Sequence, residues 1–163
     1  VRGYDPYQKK QEGFDCIYSG ADGLERLLQE SDFVVTSLPV TDETRDIINV
    51  RTLQMMKSTA YLINVARGEI VDEMALVEAL NNHRIRGAAL DVTKQEPLPS
   101  EHPLWHADNV LITPHISGQT FAGLRDKEDF FFRVCRENLE NYRDGKPLQN
   151  RVDLKTGYRV TTN

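Results

Sequence analysis

Three short segments of this chain carry side chains suited to a small anionic carbonyl compound. They are Asn64-Val65-Ala66-Arg67-Gly68, Glu96-Pro97 and Thr113-Pro114-His115. A guanidinium grips a carboxylate through two parallel hydrogen bonds. An imidazole exchanges a proton near neutral pH, and a neighbouring carboxylate favours its charged form. Arginine, glutamate and histidine at the ends of successive apolar runs are therefore a set that could bind a keto acid and protonate its carbonyl oxygen beside a redox cofactor. Each residue also has a plainer reading. Arg67 could form a surface salt bridge, and His115 could be a core histidine or a metal ligand. The other histidines, His83, His102 and His106, show no ligand spacing and read as structural or exposed, so no metal site is expected. No serine or cysteine has a convincing partner for nucleophilic catalysis.

These groups need strands that end side by side. Val1-Arg2-Gly3-Tyr4 reads as the end of a strand and Phe14–Tyr18 as a short second one. Phe33–Thr36, Tyr61–Val65, Gly87–Leu90 and Val110–Thr113 follow as compact apolar runs. Between them lie helical patterns. Asp22 is expected to cap the first, with Glu25 in the capping-box position and Leu24, Leu27 and Leu28 on the buried face. Asp72 is expected to cap another, with Leu76, Val77 and Leu80 as its apolar stripe. Short strands alternating with helices argue for right-handed β-α-β crossovers and a mostly parallel sheet, which holds ligands at its strand ends. A proline-containing excursion runs from Glu96 to Asn109, with Leu104 and Trp105 pinning it down. A long helical pattern after His115 carries Phe131, Val134, Cys135, Leu139 and Tyr142 and ends near Gly145.

Composition narrows the classes. The 163 residues suffice for one domain of ordinary size, and the net charge of -5 gives no broad basic footprint for nucleic acid. No apolar run approaches the roughly 18–20 residues needed to span a bilayer. No signal peptide is visible, and a cytoplasmic location is expected. Cys16 and Cys135 form no short-spaced unit and read as two buried thiols in a reducing compartment.

Taken together, these segments resemble the D-isomer-specific 2-hydroxyacid dehydrogenases. The run Asn64–Asp72, continued by Ala75–Leu80, is similar to that family's arginine motif. Gly87–Val92 followed by Glu96-Pro97-Leu98 is similar to its carboxylate motif, and Asn109–Gly118 to its histidine motif. Asn138, Tyr142, Gly145–Leu148 and Val152 resemble the closing segment. The match covers nearly the whole chain.

The resemblance implies an α/β fold: a doubly wound, parallel-sheet NAD-binding domain of Rossmann type, incomplete without its first strand and glycine-rich loop. Residues 1–145 would be part of the dinucleotide-binding domain, and 146–163 a tail returning to the substrate domain. The absent elements are expected in an N-terminal part of the same protein, without which this chain is expected to be inactive. The implied activity is NAD(H)-dependent interconversion of a 2-keto acid and a D-2-hydroxy acid. Arg67, Glu96 and His115 would be catalytic. Asp5 would accept hydrogen bonds from ribose hydroxyls and favour NAD over NADP, although Arg2 is close and a turn-capping role for Asp5 stays open. Pro39, Thr44, Ala66, Asp91, His115 and Gly118 would lie along the cofactor. A homodimer is also implied. The alternative on the same fold is an NAD(H)-sensing transcriptional corepressor.

Overall fold

The computed structural model describes residues 1–118, 124–154 and 160, so part of the expected C-terminal tail lies outside the described residues. Two compact units divide the chain, Val1–His115 and Ile116–Asn163.

The first unit is built on six short strands, all paired in parallel. β1 (Arg2–Tyr4) pairs with β2 (Cys16–Tyr18) in a two-stranded sheet. β3 (Phe33–Thr36), β4 (Tyr61–Asn64), β5 (Gly87–Leu90) and β6 (Val110–Ile112) form a four-stranded sheet in chain order. Its register aligns Thr36, Asn64, Leu90 and Ile112 across the strands, so four carboxyl ends lie in one row. This is the α/β parallel-sheet architecture expected from the alternation of strand and helix.

α1 (Ala21–Glu30) joins β2 to β3, and α3 (Glu73–Asn81) joins β4 to β5. Leu28 of α1 and Leu76, Val77 and Leu80 of α3 pack in the core with Val34, Leu62, Ala88 and Leu90 from one face of the sheet. The short α2 (Val50–Leu53), not anticipated from the sequence, contributes Leu53. Its signal was present as Asn49-x-x-Thr52: the Asn49 side chain accepts from the Arg51 and Thr52 amides, and Thr52 Oγ1 in turn accepts from the Asn49 amide. The opposite face of the sheet carries Phe33, Val35 and Leu111, all exposed.

The caps separate two expectations. Asp72 does cap α3, accepting from Met74 and Ala75 N–H at 3.1 Å each. Asp22 does not cap α1. Gly20 is the N-cap, at φ 74° and ψ 175°, a conformation open essentially to glycine alone, and that places Asp22 inside the first turn. The Glu96–Asn109 excursion is pinned by fully buried Leu104. Trp105 is half exposed and holds through its indole N–H to the Pro99 carbonyl at 2.8 Å.

In the second unit, α4 (Leu124–Arg143) is the expected long helix, with Phe131, Leu139 and Tyr142 exposed. The Asn138 side chain brackets Gln149, accepting its N–H at 2.7 Å and donating to its carbonyl at 3.2 Å. Neither cysteine is buried as expected: Cys16 is half-buried and Cys135 exposed, and both are free. Cys16 stands on a strand in a sheet of only two, and Cys135 on the open side of α4.

Replacing Asp72 with alanine is expected to cost about 1 kcal/mol of unfolding free energy. Asp22→Ala should cost only about 0.3 kcal/mol, the interaction of a first-turn charge with the helix dipole. Urea denaturation of the two variants checks the difference.

Candidate active site

The site begins where β4 stops. Asn64, 1% exposed, turns its side chain back along the chain. Its Oδ1 accepts from Thr36 Oγ1 at 2.8 Å and from Ala66 N–H at 3.1 Å, while its Nδ2 donates to the Arg67 carbonyl at 3.0 Å. A buried amide with its donors and acceptors matched in this way fixes the turn that presents Arg67. The Arg67 side chain is exposed, and its Nη1 donates to the Ala66 carbonyl at 2.7 Å. It lines a concavity of about 650 Å³ with Ser37, Leu38, Pro39, Val40, Val65, Ala66 and Glu69, at the carboxyl ends of β3 and β4.

Gly68 lets this turn meet the next loop. A Cβ there would stand 2.0 Å from the Thr93 carbonyl carbon and 2.2 Å from Lys94 N. The backbone beyond Arg67 is thus packed directly against the backbone leading to Glu96. Thr93 N–H donates to Glu96 Oε1 at 3.1 Å, and Glu96 Oε2 meets His115 Nδ1 at 2.7 Å. The bond to His115 is the main influence holding the Glu96 carboxyl below its usual range. The Thr93 amide and the charges of His115 and Arg67 act in the same direction, against the cost of desolvation.

His115 follows β6 in a left-handed conformation, φ 55°. Such a conformation costs of order 1 kcal/mol for a residue other than glycine. Its N–H donates to the Asp91 carbonyl at 2.8 Å and to the Thr113 carbonyl at 3.0 Å, which holds the bend. Asp91 is buried at the end of β5, and its Oδ1 accepts from Thr113 Oγ1. With Glu96 on Nδ1, Nε2 is the ring nitrogen not engaged by that carboxylate. Glu96, His115 and Asp91 border a second, largely apolar concavity of about 490 Å³, walled by Pro97, Leu98, Trp105 and Ile112.

The remaining candidates are placed as follows. Asp5 follows β1, and its Oδ1 accepts from Tyr7 and Gln8 N–H at 2.8 and 2.9 Å. The turn-capping geometry is therefore present, and it fixes the carboxylate. Pro39 is exposed in the first concavity. Thr44 is buried, with Oγ1 donating to the Pro39 carbonyl and accepting from Thr41 N–H, both at 2.7 Å. Its hydroxyl therefore shapes the wall that carries Pro39. Ala66 is small and buried in the floor. Gly118 belongs to the second unit, where it is exposed and a Cβ would meet nothing within 4 Å. Among the described residues, no group of three or more histidine, cysteine or carboxylate side chains could hold a metal ion. The sequence reading passed over Asn64 as a determinant and took Gly68, with Ala66, as keeping bulk away from the cleft; the structure shows Gly68 making room for the Thr93–Lys94 backbone.

The profile of the "D-isomer specific 2-hydroxyacid dehydrogenase, NAD binding domain" family matches residues 1–117. The chain belongs to this family. Glyoxylate reductase from Pyrococcus horikoshii is 53% identical over 135 residues, 81% of this chain and 39% of that enzyme. D-3-phosphoglycerate dehydrogenase from Methanocaldococcus jannaschii is 42% identical over 154 residues, 94% of this chain and 28% of that one. The 2-hydroxyacid dehydrogenase of Xanthobacter autotrophicus Py2, solved with NADPH and MES, superposes with a TM-score of 0.86 at 39% identity, covering 97% of this chain and 62% of that one. The chain thus spans well under half the length of these two curated relatives. For a member of this family, the strand-end concavity beside Pro39 and Ala66 fits a nicotinamide cofactor. It lies at the carboxyl edge of a parallel sheet, is floored by small residues and is bounded by the Arg67 turn.

Gly68→Ala tests how closely the two loops depend on each other. The added methyl must displace backbone, so a loss of about 1–3 kcal/mol is expected. A denaturation midpoint that stayed put would show that the loops can part without cost.

Proposed function

We propose that the protein to which this chain belongs is an NAD(H)-dependent oxidoreductase interconverting a small 2-keto acid and the D-2-hydroxy acid. The observation that carries this reading is the 2.7 Å contact of His115 Nδ1 with Glu96 Oε2, set against the loop that presents Arg67. When bound, the nicotinamide supplies or accepts the hydride at C2 of the substrate. Arg67 then holds the substrate carboxylate in a bidentate grip and orients the keto group. His115 delivers a proton from Nε2 to the carbonyl oxygen in reduction and removes it in oxidation. Glu96 fixes the ring and stabilises its charged form. A nucleotide-sensing corepressor would need none of this proton-transfer geometry, which favours the enzyme.

Along the cofactor, Asp5 accepts from the ribose hydroxyls and repels a 2′-phosphate, which favours NAD over NADP. Pro39 and Ala66 give the cofactor close backbone approach, Thr44 shapes the wall behind Pro39, and Asp91 faces the carboxamide. The rest of the protein completes the substrate pocket and the phosphate-binding loop, and two copies assemble as a homodimer. A cytoplasmic location suits two unpaired cysteines.

Steady-state NADH consumption by the full-length protein with glyoxylate, hydroxypyruvate and pyruvate tests the reading. His115→Gln should lower kcat by roughly 10²–10⁴-fold. An unchanged rate would remove His115 from the chemistry.

The pH dependence has a defined sign. The reading needs an ionised Glu96 beside His115, so kcat/KM falls as pH drops through the Glu96 titration. Glu96, held low, stays ionised at pH values where ordinary carboxylates protonate, so the pair persists into acid. In Glu96→Gln the acid limb set by this carboxylate should disappear from the pH profile, because the group that titrates is gone.

Cofactor choice is read separately. Asp5→Ser should lower the ratio of kcat/KM for NADH over NADPH by roughly tenfold or more, as expected when a like-charge repulsion of over 1 kcal/mol is removed.

A further inference from the structure

One buried carboxylate outside the reacting set reaches into the loop that carries Glu96. Glu73 opens α3 and is 7% exposed. Its Oε1 accepts the Lys94 N–H at 2.7 Å, and its Oε2 stands 3.4 Å from His102 Nε2. His102 Nδ1 accepts the Leu104 N–H at 3.3 Å, so in the neutral ring the proton sits on Nε2, the nitrogen that stands beside Glu73. Lys94 and His102 lie on opposite sides of Glu96 in the chain. Both legs of the loop are therefore tied to one carboxylate on a core-packed helix.

Helix capping does not explain this arrangement, because Asp72 already caps α3. Burying a carboxylate is costly unless polar partners offset the lost hydration, and here its hydrogen bond to Lys94 N–H and its contact with His102 both go to a single loop. The peptide it holds is the one beside the Thr93 amide, which donates to Glu96 Oε1. From Glu73 the chain of contacts runs through Lys94 and Thr93 to Glu96, and from there to His115.

We propose that Glu73 and His102 form a positioning clamp that sets the Glu96 carboxylate against His115. The kinetic part of this proposal rests on the dehydrogenase reading above. Neither residue touches the reacting atoms; each acts by fixing where Glu96 stands. Loosening the clamp lets Glu96 drift from Nδ1, which weakens the support of the charged imidazole. The other charged group acting on Glu96, Arg67, stays in place.

The test uses the full-length protein and three variants. Glu73→Ala removes both ties. Glu73→Gln keeps an acceptor for the Lys94 amide but sets donor against donor at His102. His102→Asn keeps an acceptor for the Leu104 amide and loses the tie to Glu73. Two readouts are followed: steady-state kinetics, and the low-field NMR resonance of the His115 Nδ1 proton, which reports the contact with Glu96 and needs no turnover.

In Glu73→Ala, kcat should fall roughly 10- to 100-fold, as displacement of a reacting group predicts, with KM for the keto acid little changed. The Nδ1 proton resonance should move upfield as the contact with Glu96 lengthens, and Glu73→Gln and His102→Asn should move it part of the way. A lowered Tm with an unmoved resonance in the variants that fold would overturn the clamp and leave Glu73 a stabilising residue only. A wild-type protein inert towards keto acids, whose His115 resonance still moves in the variants, would overturn the dehydrogenase reading while supporting the clamp.

Discussion

Two backbones meet at Gly68 with no side chain between them. The turn after β4 and the loop after β5 come from different crossovers, yet the space a Cβ would need at Gly68 is taken by Thr93 and Lys94. Parallel strands in adjacent register bring their carboxyl ends close, but they do not by themselves bring two loops into contact. The glycine does that. Because the contact is backbone on backbone, it has none of the rotamer freedom of a side-chain interface, and small displacements of one loop are passed to the other. Arg67 stands on one side of it and Glu96 on the other, so the spacing of the site is set largely by main-chain geometry.

The turn of Arg67 and the bend of His115 are held by different means. Asn64 uses a buried side chain whose hydrogen bonds are all directed to its own loop or to β3. His115 is held by its amide, in a conformation that an L-residue adopts at a cost. A strained backbone persists only where the surroundings over-determine it. Here the Asp91 and Thr113 carbonyls receive the same N–H, and the Asp91 carboxylate binds the Thr113 hydroxyl, so three residues specify one bend. The result is a ring held with Nδ1 on Glu96.

The elements of the site were legible in the sequence because each rests on a local signal. Apolar runs marked β3, β4, β5 and β6, Asp72 marked α3, and the arginine, glutamate and histidine follow strand ends. Long-range contacts were not legible. Nothing near Glu73 in the chain announces that its carboxylate closes on Lys94 and His102, since that pairing exists only once α3 packs beside the excursion. The failure at Asp22 is of another kind. An aspartate followed three residues later by a glutamate satisfies the capping pattern, but Gly20 adopts a conformation that starts the helix earlier. Local side-chain preference was outweighed by a backbone state that only glycine reaches readily. The cysteines failed because residue type predicts burial only on average, and each sits on an element with an open side.

The strands themselves say something that the site does not. Phe33-Val34-Val35 is apolar on successive residues, so it is apolar on both faces of the sheet. A strand covered on one side alternates, whereas one buried on both sides reads as a continuous apolar run. Within the first unit, one face is packed by α1, α2 and α3, while Phe33 is 65% exposed, Val35 57% and Leu111 62% on the other. Phe33 and Tyr61 stack on that face with ring centroids 5.5 Å apart, which shields part of each ring without burying either. The sequence of these strands is thus that of a sheet packed on both sides, and the helices of the first unit satisfy one of them. The geometry at the strand ends does not depend on the open face, because Arg67, Glu96 and His115 are held by loop contacts and by the covered face, which carries Thr36 and Asn64.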